Sequence, residues 1–186
     1  MAKIIKLTES DLNRIVRIIV EQSQNEPLVF SVVVDVPETN KDSLYNKIKE
    51  GLVDVYNNFS KVVQLDDKTN GVIILKGAMK FTPPSGLSNQ CTAGWVNYTL
   101  KIQIKDNKFK VEMKDMVHEK SNPSAVSSCE LGLITSVEPF TEKGLTKTWV
   151  NKIWSFVKTD AKSYFDRISS TLANSVKTGK SDDFQP

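Results

Sequence analysis

Two adjacent segments that alternate apolar and polar residues constrain the fold of this chain most. A period of two residues is typical of a β-strand with one buried face. The apolar positions of the first segment are Val96, Tyr98, Leu100, Ile102 and Ile104. Those of the second are Phe109, Val111 and Met113, after a turn predicted at Asp106-Asn107. The pattern predicts an antiparallel hairpin whose apolar face must be covered by other elements.

Three further strands are predicted upstream of this hairpin. Residues 29–36 alternate in the same way, and residues 61–66 and 72–81 are rich in β-branched side chains. Asn70-Gly71 lies between the last two and favours a hairpin, with a loop longer than two residues. We expect all five strands to form one antiparallel sheet.

Two amphipathic helices are predicted beside the sheet. The first spans residues 39–59, with Thr39 and Asp42 at the spacing of a capping box. Its core-facing stripe is Leu44, Ile48, Leu52, Val55 and Phe59. The last spans residues 147–177, with the stripe Ile153, Val157, Ala161, Tyr164, Ile168 and Leu172. Its additional aromatic residues are Trp149, Trp154, Phe156 and Phe165, which predict packing on two sides.

The chain opens with a separate amphipathic helix. Thr8 and Asp11 have capping-box spacing. The apolar stripe that follows is Leu12, Ile15, Val16, Ile19 and Val20. A helix of about four turns is marginal alone in water, so the stripe needs a surface to bury against. We interpret it as a protein-docking element; the alternative is an ordinary helix that packs on its own domain.

Charge and segment lengths restrict the class of protein. The 186 residues carry a net charge of +3 with both signs interspersed, unlike the focused basic field of a nucleic-acid-binding protein. No apolar run is long enough to span a bilayer. Arg14 and Arg17 interrupt the only candidate secretory signal. An intracellular protein is therefore expected, with Cys91 and Cys129 as thiols; a disulfide is the alternative if the protein is exported or released in a particle.

Residues able to carry catalysis are sparse. His118 is the only histidine, and we expect it to be an exposed residue at a strand end. Cys129 lies eleven residues on, with nothing to fix a Cys-His geometry. Asp115 and Glu119 lack the pattern of a cation site and are expected to be solvated. The sequence therefore predicts no catalytic, cofactor-binding or metal-binding residues, and no enzyme.

A lysine-rich face of the predicted hairpin is the best candidate for nucleic-acid binding. Its members are Lys101, Lys105, Lys108, Lys110 and Lys114. Acidic residues dilute it, arginine is absent from it, and Trp95 is its only aromatic platform. Charged sheet faces also serve solubility, so the sequence does not favour nucleic acid as a partner.

Several short segments in the middle of the chain form a recognisable set: Leu44-Tyr45, Asn57-Asn58-Phe59, Gly71-Val72-Ile73, Val96-Asn97-Tyr98-Thr99-Leu100 and Lys105-Asp106-Asn107-Lys108. In these segments the chain resembles a bacterial domain family of unknown function with a fold like the TATA-box-binding protein. The resemblance covers about half of the chain. It implies a curved antiparallel sheet with helices on one face and brings no catalytic residues. Some members begin with an export signal or lipoprotein anchor, where this chain has the capped helix.

The opening helix has a resemblance of its own. Leu7-Thr8-Glu9-Ser10-Asp11-Leu12 followed by Arg14-Ile15-Val16 is similar to a short N-terminal segment of otherwise unrelated proteins of tailed bacteriophages. A segment shared by unrelated proteins implies a shared receptor surface. The expected location is then the host cytoplasm during synthesis and the virion afterwards; the alternative is the bacterial cytoplasm.

These predictions combine into an α+β fold: a curved antiparallel five-stranded sheet of order β-α-β-β-β-β along the chain, an N-terminal helix and a long C-terminal helix. We divide the chain into a docking helix and joint (1–26), an α+β domain (27–117), a long loop with one short element near 131–137 (118–146), and the last helix with its tail (147–186). The leading hypothesis is a non-catalytic interaction protein docked to a larger assembly, with virion components as partners and no cofactor. The alternative is a module that binds a small or apolar ligand between the sheet and the last helix.

Overall fold

The fold is an antiparallel sheet covered on one face by two helices. The computed structural model describes Glu9 and residues 26–85, 90–121, 129–137 and 144–177. The strands in these ranges are β1 (Phe30–Asp35), β2 (Val63–Asp67), β3 (Val72–Phe81), β4 (Gly94–Lys105), β5 (Lys108–Lys120) and β6 (Gly132–Leu133). The helices are α1 (Lys41–Val55), α2 (Phe59–Val62) and α3 (Gly144–Lys177), and a 3-10 turn spans Gln90–Thr92. None of the described helices is long and apolar enough to cross a bilayer.

The strands form one sheet in the order β1-β5-β4-β3-β2, with every pairing antiparallel. The short strand β6 pairs with β5 at Val117 and His118, beyond the end of β1. The predicted α+β fold and single antiparallel sheet are confirmed. Leu100 and Ile102, in the middle of β4, are fully buried, as the alternation requires.

Helices α1 and α3 pack against each other and against the inner face of the sheet. The core-facing stripe of α1 is buried at Leu44, Ile48 and Leu52. The buried residues of α3 are Ile153, Trp154, Val157, Ala161, Phe165, Ile168, Leu172 and Val176. The Phe165 ring lies 5.7 Å from that of Phe30 on β1. The predicted stripe of α3 is confirmed, with Tyr164 half-buried at its edge. In the predicted stripe of α1, Val55 is half-buried, and Phe59 is half-buried and lies outside the helix.

The start of α1 differs from the prediction. Asn40, rather than a box of Thr39 and Asp42, caps the helix, because its side-chain oxygen accepts from the Ser43 N–H at 2.8 Å. The turn between β4 and β5 supplies a second cap, since Asp106 accepts from the Lys41 N–H at 2.8 Å. Sequence spacing could not show that a distant hairpin turn satisfies these helix N–H groups.

Several other helix and strand boundaries differ from the prediction. Helix α1 ends at Val55 because Tyr56 is extended, and residues 59–62 form the separate helix α2 before β2 begins at Val63. Strand β5 continues to Lys120, past the expected limit at 117, because it pairs with the start of β4. The short element expected near 131–137 is β6, and α3 begins at Gly144 instead of 147.

Candidate functional site

The predicted docking residues are Leu12, Ile15, Val16, Ile19 and Val20, and all five lie outside the described residues. Their docking role therefore stays a prediction. The described residues place the other candidates at the end of the sheet near β6 and on the outer face of the sheet.

His118 is a buried structural residue, so the expectation of an exposed strand end was wrong. Only 1% of its surface is exposed, and its ring meets that of Phe81 edge-on at 5.9 Å. Nδ1 accepts from the Leu131 N–H at 3.2 Å, which leaves Nε2 to donate to the Thr92 carbonyl oxygen at 2.8 Å. Burial lowers the pKa of the imidazole, partly offset by the bond to Thr92. The ring is therefore a neutral bridge between two loops.

Cys91 and Cys129 form a disulfide, so the prediction of two thiols was wrong. The Cys129 N–H also donates to the Cys91 carbonyl oxygen at 2.7 Å. The two cysteines meet because pairing within the sheet places the turn before β4 beside the segment before β6. The His118 side chain is hydrogen-bonded to both segments. The two cysteines are 38 residues apart in sequence, so their proximity is not visible there. Disulfides persist in oxidising surroundings and are rare in the reducing cytosol.

The lysine-rich face is the outer face of the sheet, opposite the helices. Lys101 lies beside Glu112 in the ladder, and Lys110 forms an ion pair with Glu112 at 2.6 Å. The bond from Lys110 lowers the pKa of Glu112. Lys105 and Lys108 flank the hairpin turn. The lysines therefore share their surface with acidic partners, as the sequence predicted.

A β-bulge shapes the middle of this outer face. Thr99 pairs with Lys114 and Asn97 with Val117, so β5 has an extra residue opposite Tyr98. Asp115 takes up the bulge with φ of +54°. Beside it lies an open groove of about 710 Å³. Its lining includes Lys76, Ala78, Asn97, Thr99 and Asp115.

A chain of tyrosine hydroxyls lies between the sheet and α3. The Tyr98 hydroxyl is 3.0 Å from that of Tyr56 and donates to that of Tyr164 at 3.2 Å. Burial raises the pKa of both Tyr56 and Tyr98, so these hydroxyls stay protonated. The Arg167 guanidinium stacks 4.9 Å from the centre of the Tyr164 ring. The Tyr98 ring covers Gly77, where a Cβ atom would clash. These contacts join α1, the sheet and α3.

Acidic residues are dispersed in the described part of the chain. Asp115 and Glu119 are exposed, as expected. Within the described ranges, no group of three or more His, Cys, Asp or Glu side chains is placed to hold a metal ion.

Comparison with known proteins finds a family similar to the middle of the chain. Residues 30–119 match the sequence profile of a family described as a domain of unknown function (DUF4468) with TBP-like fold. No curated protein is significantly similar to it in sequence.

Two solved structures of bacterial proteins are similar to this chain. A TBP-like protein from Parabacteroides distasonis is 18% identical, with a TM-score of 0.48, over 78% of this chain and 94% of the other. A DUF4468 family protein from Bacteroides ovatus is 15% identical, with a TM-score of 0.48, over 87% of this chain and 91% of the other.

The sequence analysis missed several residues of the sheet and its contacts. Lys76 and Lys80 extend the outer face, and the alternation of β3 could have shown this. Nothing in the sequence marks the bulge at Asp115. A contact between α1 and β2 was also missed. Asp66 accepts a hydrogen bond from the Tyr45 hydroxyl and another, of 2.5 Å, from the Lys49 ammonium. Both bonds lower the pKa of Asp66, and the bond from Lys49 is the larger cause.

Proposed function

We propose that this protein is a non-catalytic interaction protein of a bacteriophage virion, attached to a larger assembly through the stripe at Leu12, Ile15, Val16, Ile19 and Val20. One structural observation carries the proposal: the inner face of the sheet is covered by the chain's own α1 and α3. Among the described residues the inner face is closed without the stripe, which supports a role for the stripe in binding a partner.

Two further observations support this role. The opening segment resembles one found at the start of tailed-bacteriophage proteins, and a segment shared by unrelated proteins suits a common receptor. The Cys91–Cys129 disulfide suits a particle that leaves the reducing cytosol. Synthesis in the host cytoplasm followed by assembly into virions accommodates both.

The described residues favour binding over catalysis. Both ring nitrogens of His118 are occupied by backbone groups, and Cys129 is held in the disulfide. The alternative, a ligand module between the sheet and the last helix, stays a prediction. Phe165, Ile168 and the tyrosine hydroxyl chain occupy that space.

The experiment measures incorporation into purified virions by quantitative mass spectrometry. Wild-type protein is expected in the particles. The double variant Ile15→Asp, Ile19→Asp places two charges on the stripe, at a cost of several kcal/mol each if the site is desolvated, and should be lost from them.

A matched control places two aspartates on the polar side of the same helix, as Asn13→Asp, Arg17→Asp. It should be incorporated like wild type. Absence of the wild-type protein from virions would contradict the virion role, and equal incorporation of the stripe variant would contradict attachment through the stripe.

A further inference from the structure

An exposed tryptophan lies in line with the groove on the outer face of the sheet. Trp95, Asn97 and Thr99 alternate along β4 and project from this face. Trp95 is 46% exposed, whereas the inward residues Val96 and Leu100 are fully buried. At roughly 3.3 Å per residue the row spans about 13 Å. Exposed aromatic surface beside a groove is typical of a binding site.

Four polar side chains that line the groove make no side-chain hydrogen bond within the described part of the chain. The Lys76 ammonium, the Asn97 amide, the Thr99 hydroxyl and the Asp115 carboxylate all border the groove without a side-chain hydrogen bond. Lys110 and Glu112, on the same face, instead satisfy each other. The groove therefore presents donors and acceptors that a ligand can use.

We propose that this groove binds a saccharide chain. A sugar ring has an apolar C–H face, which stacks on the electron-rich face of an indole, and a rim of hydroxyls that need both donors and acceptors. Trp95 supplies the first, and Asn97, Thr99 and Asp115 supply the second. The length of the row fits several sugar rings rather than one.

Charge favours an acidic saccharide. Lys76 borders the groove, Lys80 lies beside Trp95 in the ladder and Lys114 lies beside Thr99, against the carboxylates of Asp115 and Glu119. The net positive charge attracts carboxylate-bearing or phosphate-bearing chains. This site is independent of the N-terminal stripe, so the two proposals can fail separately.

The test applies the full chain to an array of bacterial surface polysaccharides, acidic and neutral, with a single-stranded thymidine oligonucleotide as a competing probe. Binding to acidic polysaccharides is expected, with weaker binding to neutral ones. Trp95→Ala should weaken binding tenfold or more, at about 1.4 kcal/mol per factor of ten, while Trp95→Phe keeps part of the platform.

Two controls separate binding from folding. Lys152→Ala removes an exposed lysine from α3, on the other side of the sheet, and should bind like wild type. The melting temperature of Trp95→Ala should be unchanged, because Trp95 is exposed. The proposal is overturned if no polysaccharide binds, if Trp95→Ala binds as well as wild type, or if the oligonucleotide binds in preference.

Discussion

The two faces of the sheet are built from the same strands and differ in what they do. On β4 and β5 the inward residues Leu100, Ile102 and Val111 are fully buried, whereas their neighbours Lys101, Gln103 and Lys110 reach the outer surface. The inner face is closed by α1 and α3. Its side chains are therefore restricted by packing, and those of the outer face are free to serve recognition.

A disulfide covalently links two segments at the end of the sheet near β6. Removing this disulfide should have the largest effect on the free energy of unfolding. Replacing Cys91 and Cys129 by alanine opens a loop closed across 38 residues. The chain-entropy relation gives a loss of about 4 kcal/mol in the free energy of unfolding.

Urea unfolding of the variant and of wild-type protein checks this loss, and reduced wild-type protein serves as a control. Denatured, non-reduced wild-type protein should contain no free thiol at these positions. Two reactive thiols would show that the disulfide does not form and that the sheet end depends on packing alone.

A matched pair of substitutions separates the two faces. Val111 on β5 is fully buried, and Val33 on the neighbouring strand β1 is 56% exposed. Val111→Ala should cost about 2 kcal/mol through lost burial and a cavity, and Val33→Ala less than about 0.5 kcal/mol. Equal losses in the free energy of unfolding, measured in urea, would mean that the side chains of the outer face are also packed.

A further effect on the free energy of unfolding is expected from the titration of His118. Its pKa is lowered in the fold, so the unfolded chain takes up a proton first as the pH falls. The stabilisation is present above the unfolded pKa of about 6.5 and is lost as the pH falls toward the folded value. The nearby carboxylates of Glu119 and Glu130 oppose the shift.

The free energy of unfolding of wild-type protein should therefore be lower at pH 5.5 than at pH 7.5. Urea unfolding at both values checks this. His118→Gln removes the titrating group and should flatten the dependence; an unchanged slope in the variant would assign it to other groups.

The inner face could be predicted from the sequence because burial imposes a period that a single strand or helix displays. The alternation of β4 and the stripe of α1 are examples. The structure of the sheet end near β6 could not be predicted, because the positions of Cys91, Cys129 and His118 depend on pairing between strands distant in sequence. The cap that Asp106 provides for α1 could not be predicted for the same reason. The bulge at Asp115 depends on how two strands register, which neither strand displays alone.

The central claim is that the domain folds around its own inner face while the N-terminal stripe serves attachment. Thermal unfolding of the full-length variant Ile15→Asp, Ile19→Asp tests it most directly. The account predicts a melting temperature within about 2 °C of wild type, because about 1 kcal/mol shifts it by roughly 2–4 °C in a chain of this size. A fall of about 10 °C or more would mean that the stripe belongs to the core, and would contradict the account.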